Sequence, residues 1–351
     1  MDSEQSSAFL ALLRTQVDAL KETFSAVDTL LDAGTVSESA VHQASLKSIP
    51  RWHFAMVNDH ARNDAFAAAF KQLVRRGMHV LDIGTGTGLL AMLAVKAGAR
   101  RVTTCEANPL MADIAKRIIA ANGMASTITV VSKKSTDLRM GSDLPEPVDL
   151  IVSEIVDCGL VGEGLLPTLR HAREHLLKPG GILVPRRARL IGALVESPAV
   201  MRLNNVEYAA GFDVRWLNIV ATRGHFPVRL GTWPYRFLSD PVVLASFDLV
   251  HGGLTDGEVE VTVPITASGQ AHMVAAWFEL DLCPGVVLSN RLEDTESHWM
   301  QACIPFPAPV AVRENHDTRL AVQWRRERLS VHTSPEPHLT EDVHEPYAPT
   351  L

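Results

Sequence analysis

Across 351 residues no apolar run reaches the roughly 20 residues that a membrane-spanning helix needs. The start, Met1-Asp2-Ser3-Glu4, lacks the basic region that opens a secretory signal. Four cysteines, Cys105, Cys158, Cys283 and Cys303, form no Cys-x-x-Cys pair, and no cluster of histidines has the spacing of a zinc site. These absences argue against a disulfide framework and a zinc module, and set the expectation of a cytoplasmic protein with reduced cysteines and no metal. No long basic run offsets the net charge of −7, which disfavours a scaffold held to nucleic acid by phosphate contacts. An acidic surface does suit a cationic substrate. No internal repeat is present.

What is there is enough for a folded core: 46% of residues are apolar and 21% charged. Apolar residues at helical spacing, Phe9, Leu13, Val17, Leu20, Phe24, Val27 and Leu31, predict one amphipathic helix over 5–33. It packs either on its own domain or on a partner. A helical stretch from Ala65 to Arg75 leads into the apolar run His79–Ile83. Helix Leu89–Ala97, strand Val102–Cys105, helix Pro109–Ala121, strand Ile128–Val131, strand Asp149–Ile155 and helix Leu165–Leu177, closed by Pro179-Gly180-Gly181, follow. That alternation predicts a parallel α/β sheet. Beyond Pro185 the pattern alternates, in Val259–Ile265, His272–Leu282 and Leu320–Arg326, and predicts antiparallel β structure. The Pro- and acid-rich end, 334–351, reads as a tail. The expected division is an N-terminal extension (1–48), a cofactor domain (49–184), a β domain (185–333) and the tail.

Between the first strand and its helix runs Asp82-Ile83-Gly84-Thr85-Gly86-Thr87-Gly88. Glycines let a backbone turn sharply and approach a ligand without Cβ clashes. Glu106, about twenty residues on, ends the second strand, where an acid can accept both hydroxyls of a ribose. The dinucleotide fingerprint wants a glycine at the position Leu89 holds, so an adenosyl ligand without a pyrophosphate fits better.

The fourth strand runs into Glu154, and Glu163 follows between two glycines. A loop of that length can double back and bring both carboxylates together. Such a pair repels, which raises one pKa, and a bound guanidinium relieves the repulsion through its planar fork of donors. On residues alone the alternatives stand: Glu163 as a helix-dipole acid before Leu165, Glu154 as a strand-end polar group, and Asp157 as a turn cap.

Taken together, the Val80–Gly88 loop, Glu106, the double-glutamate loop, Ser297-His298-Trp299-Met300-Gln301 and Trp52-His53-Phe54-Ala55-Met56-Val57-Asn58-Asp59, followed by Arg62-Asn63, resemble the protein arginine methyltransferase family over roughly residues 50–330. The forms Trp-His-Phe and Val156-Asp157-Cys158-Gly159 look closest to the branches making monomethyl- or symmetric dimethylarginine. The resemblance implies a class I methyltransferase, Rossmann-like domain followed by a β-barrel-like domain, with S-adenosylmethionine as cofactor and an arginine-containing protein or peptide as substrate. It implies that Arg62 pairs with the cofactor's carboxylate and that Gly84 and Gly86 pass along its methionine part, with Asp82 supporting them. It sets Glu106 on the ribose, Ser135 near the adenine, and His53 and Met56 on the cofactor side. Glu154 and Glu163 hold the guanidinium, His298 braces the site, and Trp299, with Gln301 and Asp157, faces substrate.

The chain departs from the family in two respects. In place of the Tyr-Phe-x-x-Tyr segment of asymmetric dimethylators stands Leu46-Lys47-Ser48-Ile49-Pro50, and there is no room for a second methyltransferase module. An arm over Asn204–Phe237, with Tyr208, Phe212, Trp216 and Trp233, is the expected homodimer contact. Two rival readings are a methyltransferase for free arginine or another small guanidino compound, and an inactive methyltransferase-fold binding module.

Overall fold

Strand β1 (His79–Ile83) is buried at every position, as a central strand covered on both faces must be. The computed structural model describes residues 14–15, 17–18, 48–325 and 327–333. The helix expected over 5–33 lies outside them but for its four described positions, and the 334–351 tail lies outside entirely. The described residues from Trp52 onward belong to one compact unit.

In that unit α1 (Trp52–Val57) and α2 (His60–Leu73) precede β1. Then come α3 (Leu89–Lys96), β2 (Arg101–Cys105), α4 (Pro109–Ala121), β3 (Ile128–Val131), β4 (Val148–Ser153), α5 (Leu165–His175) and β5 (Leu177–Val184). All five strands are parallel, in the order β3-β2-β1-β4-β5. The order reverses between β1 and β4, and ligands of open α/β sheets bind at the carboxyl ends of the strands at such a switch point. Gly84 leaves β1 there, Glu154 leaves β4, and Glu106 leaves the neighbouring β2.

Local signals set the helices. Asn108 caps α4 by accepting from Leu110 N (3.0 Å) and Met111 N (3.2 Å), with Pro109 at the first helical position. The expected helix stop at Pro179-Gly180-Gly181 is corrected: α5 ends at His175, and those residues lie within β5. Leu177 pairs with Val148 and Ile182 with Leu150, so the Pro-Gly-Gly bulges out between the two pairings, where no proline N–H is needed.

The second half is antiparallel. Its strands are β6 (Arg187–Glu196), β7 (Tyr208–Ala209), β8 (Phe212–Asp213), β9 (Phe226–Val228), β10 (Arg236–Phe237), β11 (Val242–Asp248), β12 (Gly257–Pro264), β13 (Gly269–Cys283), β14 (Val286–Ser289), β15 (Gln301–Val312), β16 (Asp317–Arg325) and β17 (Arg328–Thr333), with a short helix α6 (Pro198–Met201) after β6. The main sheet runs β10-β6-β13-β15-β9, β12-β16-β17 form a second, and β7-β8 a small hairpin. Long β13 joins the halves of this sheet, pairing with β6 on one side and β15 on the other. One apolar core runs through both halves, from Phe66 and Leu81 to Phe278 and Ile304.

Candidate active site

The turn after β1 is a glycine-rich cradle. Gly84, Gly86 and Gly88 take φ of 89°, 50° and 81°, the left-handed region that glycine enters without penalty. Gly84 N and Thr85 N donate to Cys105 O, both at 3.1 Å, which ties the turn to β2. A Cβ at Gly88 would lie 2.9 Å from Ile119 Cδ1, so glycine there lets α4 pack close. Glu106 accepts from Gly86 N (3.1 Å) and Asn108 N (2.9 Å), one bond to each oxygen. Each oxygen keeps a lone pair for a ribose hydroxyl.

Behind the turn, Asp82 is fully buried and accepts from Thr104 Oγ1 at 2.8 Å. Burial pushes its carboxyl up to about 7, and its other oxygen has no partner. Arg62 is buried with an unpartnered Nε, while its Nη2 donates to Glu154. A buried guanidinium N–H and a buried carboxyl oxygen, both without a protein partner beside a glycine-rich turn, fit a ligand carrying a carboxylate and an ammonium. That is the amino-acid end of S-adenosylmethionine. Met56 is buried beside the turn, its Cε 3.6 Å from where a Cβ on Gly86 would stand.

The glutamate loop does double back. Leu160 N donates to Asp157 O (3.1 Å) and Gly162 N to Asp157 Oδ1 (2.8 Å), closing a tight turn inside it. Glu163 then stands next to Gly164, which opens α5 in the left-handed conformation. Glu163 is open to solvent, yet enclosing protein, then Glu154, then Asp157 push its carboxyl up to about 7. The two glutamates are therefore close enough for each charge to be felt by the other.

His298 is placed from across the chain. Its backbone N (2.9 Å) and Nδ1 (2.8 Å) both meet Asp59 Oδ2, while Asp59 Oδ1 caps α2 by accepting from Arg62 N at 2.9 Å. Burial opposes ionisation of Asp59, but the bonds from His298 and Arg62 outweigh it and hold the carboxyl down at about 2. Trp299 is buried edge-on to Phe278, with ring centroids 5.1 Å apart, and donates Nε1 to Val156 O at 2.9 Å. One aspartate thus orients both the brace, His298, and the helix carrying Arg62.

Other expected residues take different places. Gln301 is buried, accepts from Leu230 N (3.2 Å) and donates to Asn290 O (3.0 Å), so its amide ties the β sheet together instead of facing substrate. Asp157 turns one oxygen to Gly162 N and the other to His225. His53 stacks on Trp52, centroids 4.0 Å apart. Ser135 is buried at the turn following β3, beyond the carboxyl end of that edge strand. His225 and Asn290 were not singled out from sequence, and Asp59 stood only at the end of the Trp52–Asp59 element, with no role given. Asp59 had a usable signal, a cap residue three positions before Arg62. His225 and Asn290 had none, because only sheet pairing brings them here.

Two family models match the chain: "Ribosomal protein L11 methyltransferase (PrmA)" over residues 59–185 and "Arginine methyltransferase oligomerization subdomain" over 187–334. The chain is 50% identical over 319 residues to an arginine N(omega)-methyltransferase of Streptomyces achromogenes subsp. streptozoticus, covering 91% of this chain and 88% of that one. It is 33% identical over 295 residues to protein arginine N-methyltransferase 7 of Drosophila willistoni, covering 77% of this chain and 41% of that one. It thus spans less than half the length of the fly relatives it matches. The fold is similar to the PRMT1 enzyme–prozyme heterotetramer of Trypanosoma brucei, with TM-score 0.70, 23% identity, and coverage of 82% and 94% of the two chains. It is also similar to protein arginine methyltransferase 10 of Arabidopsis thaliana, with TM-score 0.63, 23% identity, and coverage of 77% and 86%.

Proposed function

The chain belongs to the protein arginine methyltransferase family, and from that premise we propose that it moves a methyl group from S-adenosylmethionine to a guanidino nitrogen of arginine in a protein or peptide. What supports this reading is that Glu163 feels the charge of Glu154, and that Ile155, which follows Glu154, lies against Gly84 of the glycine cradle. When bound, the cofactor supplies an electrophilic methyl on a sulfonium sulfur. Asp82, Gly84, Gly86, Glu106 and Arg62 would hold it, and Ser135, His53 and Met56 lie on its side of the site. Glu154 and Glu163 hold two nitrogens of the guanidinium through charge-assisted bonds and draw positive charge toward them. The remaining nitrogen becomes the better nucleophile. Holding it in line is the larger part of the rate gain. The proton that the methylated nitrogen releases has an acceptor in Glu163, whose carboxyl is already pushed up to about 7. His298, fixed by Asp59, and Trp299 wall the site.

A second reading has its own support: the Streptomyces relative is named for arginine with no mention of protein, and it matches nearly its whole length. On that reading free arginine is the substrate, and its α-ammonium and α-carboxylate need partners beyond the two glutamates. Incubation with isotope-labelled cofactor, free arginine and an arginine peptide library, followed by mass spectrometry, separates the two. The expected product carries methyl on a guanidino nitrogen, as the mono- or symmetric dimethyl form. Labelling elsewhere, or on neither substrate, contradicts the proposal.

The same reading extends to setting. Tyr208, Phe212, Trp216, Leu217, Ile219 and Val220 are exposed within the oligomerization match, and a second copy of this chain is the occupant we propose for them. A cytoplasmic setting accords with four buried free cysteines, and no described helix is long and apolar enough to cross a membrane. We adopt the division at 184/185, where β5 ends just before β6 begins.

A further inference from the structure

The loop from Glu154 to Glu163 follows β4 of the cofactor half, yet the β half grips it at three points. Trp299 Nε1 holds Val156 O at 2.9 Å, Asn290 Nδ2 holds Cys158 O at 3.4 Å, and His225 Nε2 meets the Asp157 carboxylate. The first two reach backbone carbonyls. The third reaches a side chain whose other oxygen works inside the loop, accepting from Gly162 N at 2.8 Å. Gly162 is the residue before Glu163, so the chain of bonds His225–Asp157–Gly162 ends one peptide from the clamp acid.

The sequence is cleared to permit this contact. A Cβ at position 159 would overlap the His225 ring, and one at 162 would overlap the Asp157 carboxylate. Between them Leu160, fully buried, takes φ of 75°, a conformation that costs a side-chain-bearing residue about 1–2 kcal/mol and persists only where the surroundings impose it. His225 precedes β9, whose Val228 pairs with Gln301 of β15, so the strand that follows the His298-Trp299 loop also delivers His225. An ionised carboxylate only accepts hydrogen bonds, so the contact requires hydrogen on Nε2.

We propose that His225 is a positioning residue for the methyl transfer: by donating Nε2–H to Asp157 it locks the loop in the form that presents Glu163 to the guanidinium. This rests on the arginine-methylating reading above. The lock has a charge consequence as well. With His225 on one oxygen and Gly162 N on the other, Asp157, the third acid of the site, is turned to the loop instead of competing with the two glutamates for the substrate cation. A cation held by Asp157, Cys158 and His225, whose donor atoms lie within 4.8 Å of one another, fits less well. Burial pushes the Cys158 thiol far above its ordinary range, away from the thiolate a metal takes.

The test compares His225→Ala with His225→Gln, whose side-chain N–H can still reach Asp157, in the full-length enzyme. Loss of the lock is expected to lower kcat by at least about tenfold in the alanine variant, with cofactor Kd within about twofold, since small misplacements of reacting groups cost that much or more. The glutamine variant recovers most of the turnover. Hydrogen exchange of the peptide over 156–164 is faster in the alanine variant and near wild type in the glutamine variant. Unchanged kcat in the alanine variant overturns the proposal, as does equal loss in both variants without faster exchange. If the alanine variant does not fold, the glutamine variant decides alone: near-wild-type turnover supports the lock and near-complete loss overturns it. Should wild type methylate no arginine, the function proposal fails, and the exchange comparison still tests the lock.

Discussion

Glu154→Gln is expected to lower kcat by about a thousandfold or more, roughly 4 kcal/mol of transition-state stabilisation, while cofactor affinity changes by less than about threefold. The effect is electrostatic. Glutamine keeps an oxygen that can accept from Arg62, so the buried guanidinium retains a partner and the fold keeps its cross-link to α2. What disappears is the negative charge that draws a guanidinium's positive charge away from the attacking nitrogen. The cradle at Gly84–Gly88, Asp82 and Glu106 is untouched, which is why cofactor binding stays. Rates from labelled cofactor, with calorimetry for the cofactor Kd, check both halves. Unimpaired turnover rules out the clamp, and lost cofactor binding would assign Glu154 to the cofactor instead.

The second large effect is on pH. Glu163 is pushed up to about 7 by enclosing protein, Glu154 and Asp157, even with Arg62 paired to Glu154. Free enzyme must present Glu163 ionised to bind a guanidinium, so kcat/KM for arginine falls about tenfold per pH unit below about 7. Glu163→Gln removes that limb and leaves a low, flat profile. The stability effect has the opposite sense. An acid whose folded pKa lies above its unfolded value binds its proton more tightly when folded, so its contribution is full at acid pH and is lost as pH rises through about 7. Glu163→Gln therefore raises the melting temperature at pH 8 and not at pH 4. Because solvent reaches Glu163, the rise is small. A variant more stable at pH 8 and nearly inactive is the signature of an acid kept for function at some cost to the fold.

The parallel sheet was legible because its signals are local. The run His79–Ile83, the glycine turn and the helix Pro109–Ala121 with its Asn108 cap each follow from a few adjacent residues. Glu154 and Glu163 could be proposed as a pair because a short loop limits where their ends can go. Asp59 and His298 are 239 positions apart, and nothing local tells a histidine which acid it will meet. The same holds for His225 and Asp157, 68 positions apart and joined through the β9–β15 register. Gln301 carried a motif position but not its direction, and in β15 its side chain turns to Leu230 N and Asn290 O. Pro179-Gly180-Gly181 has the composition of a helix stop, and the sheet absorbs it as a bulge between two β4 pairings.

Everything in this account depends on a planar cation lodging between two acids next to the methyl donor's site. A crystal structure of the enzyme with S-adenosylhomocysteine and arginine, free or in a peptide, measures that directly. The account predicts guanidinium nitrogens within hydrogen-bond distance of both Glu154 and Glu163, with one nitrogen facing the sulfur. A guanidinium bound elsewhere, or touching neither carboxylate, contradicts it.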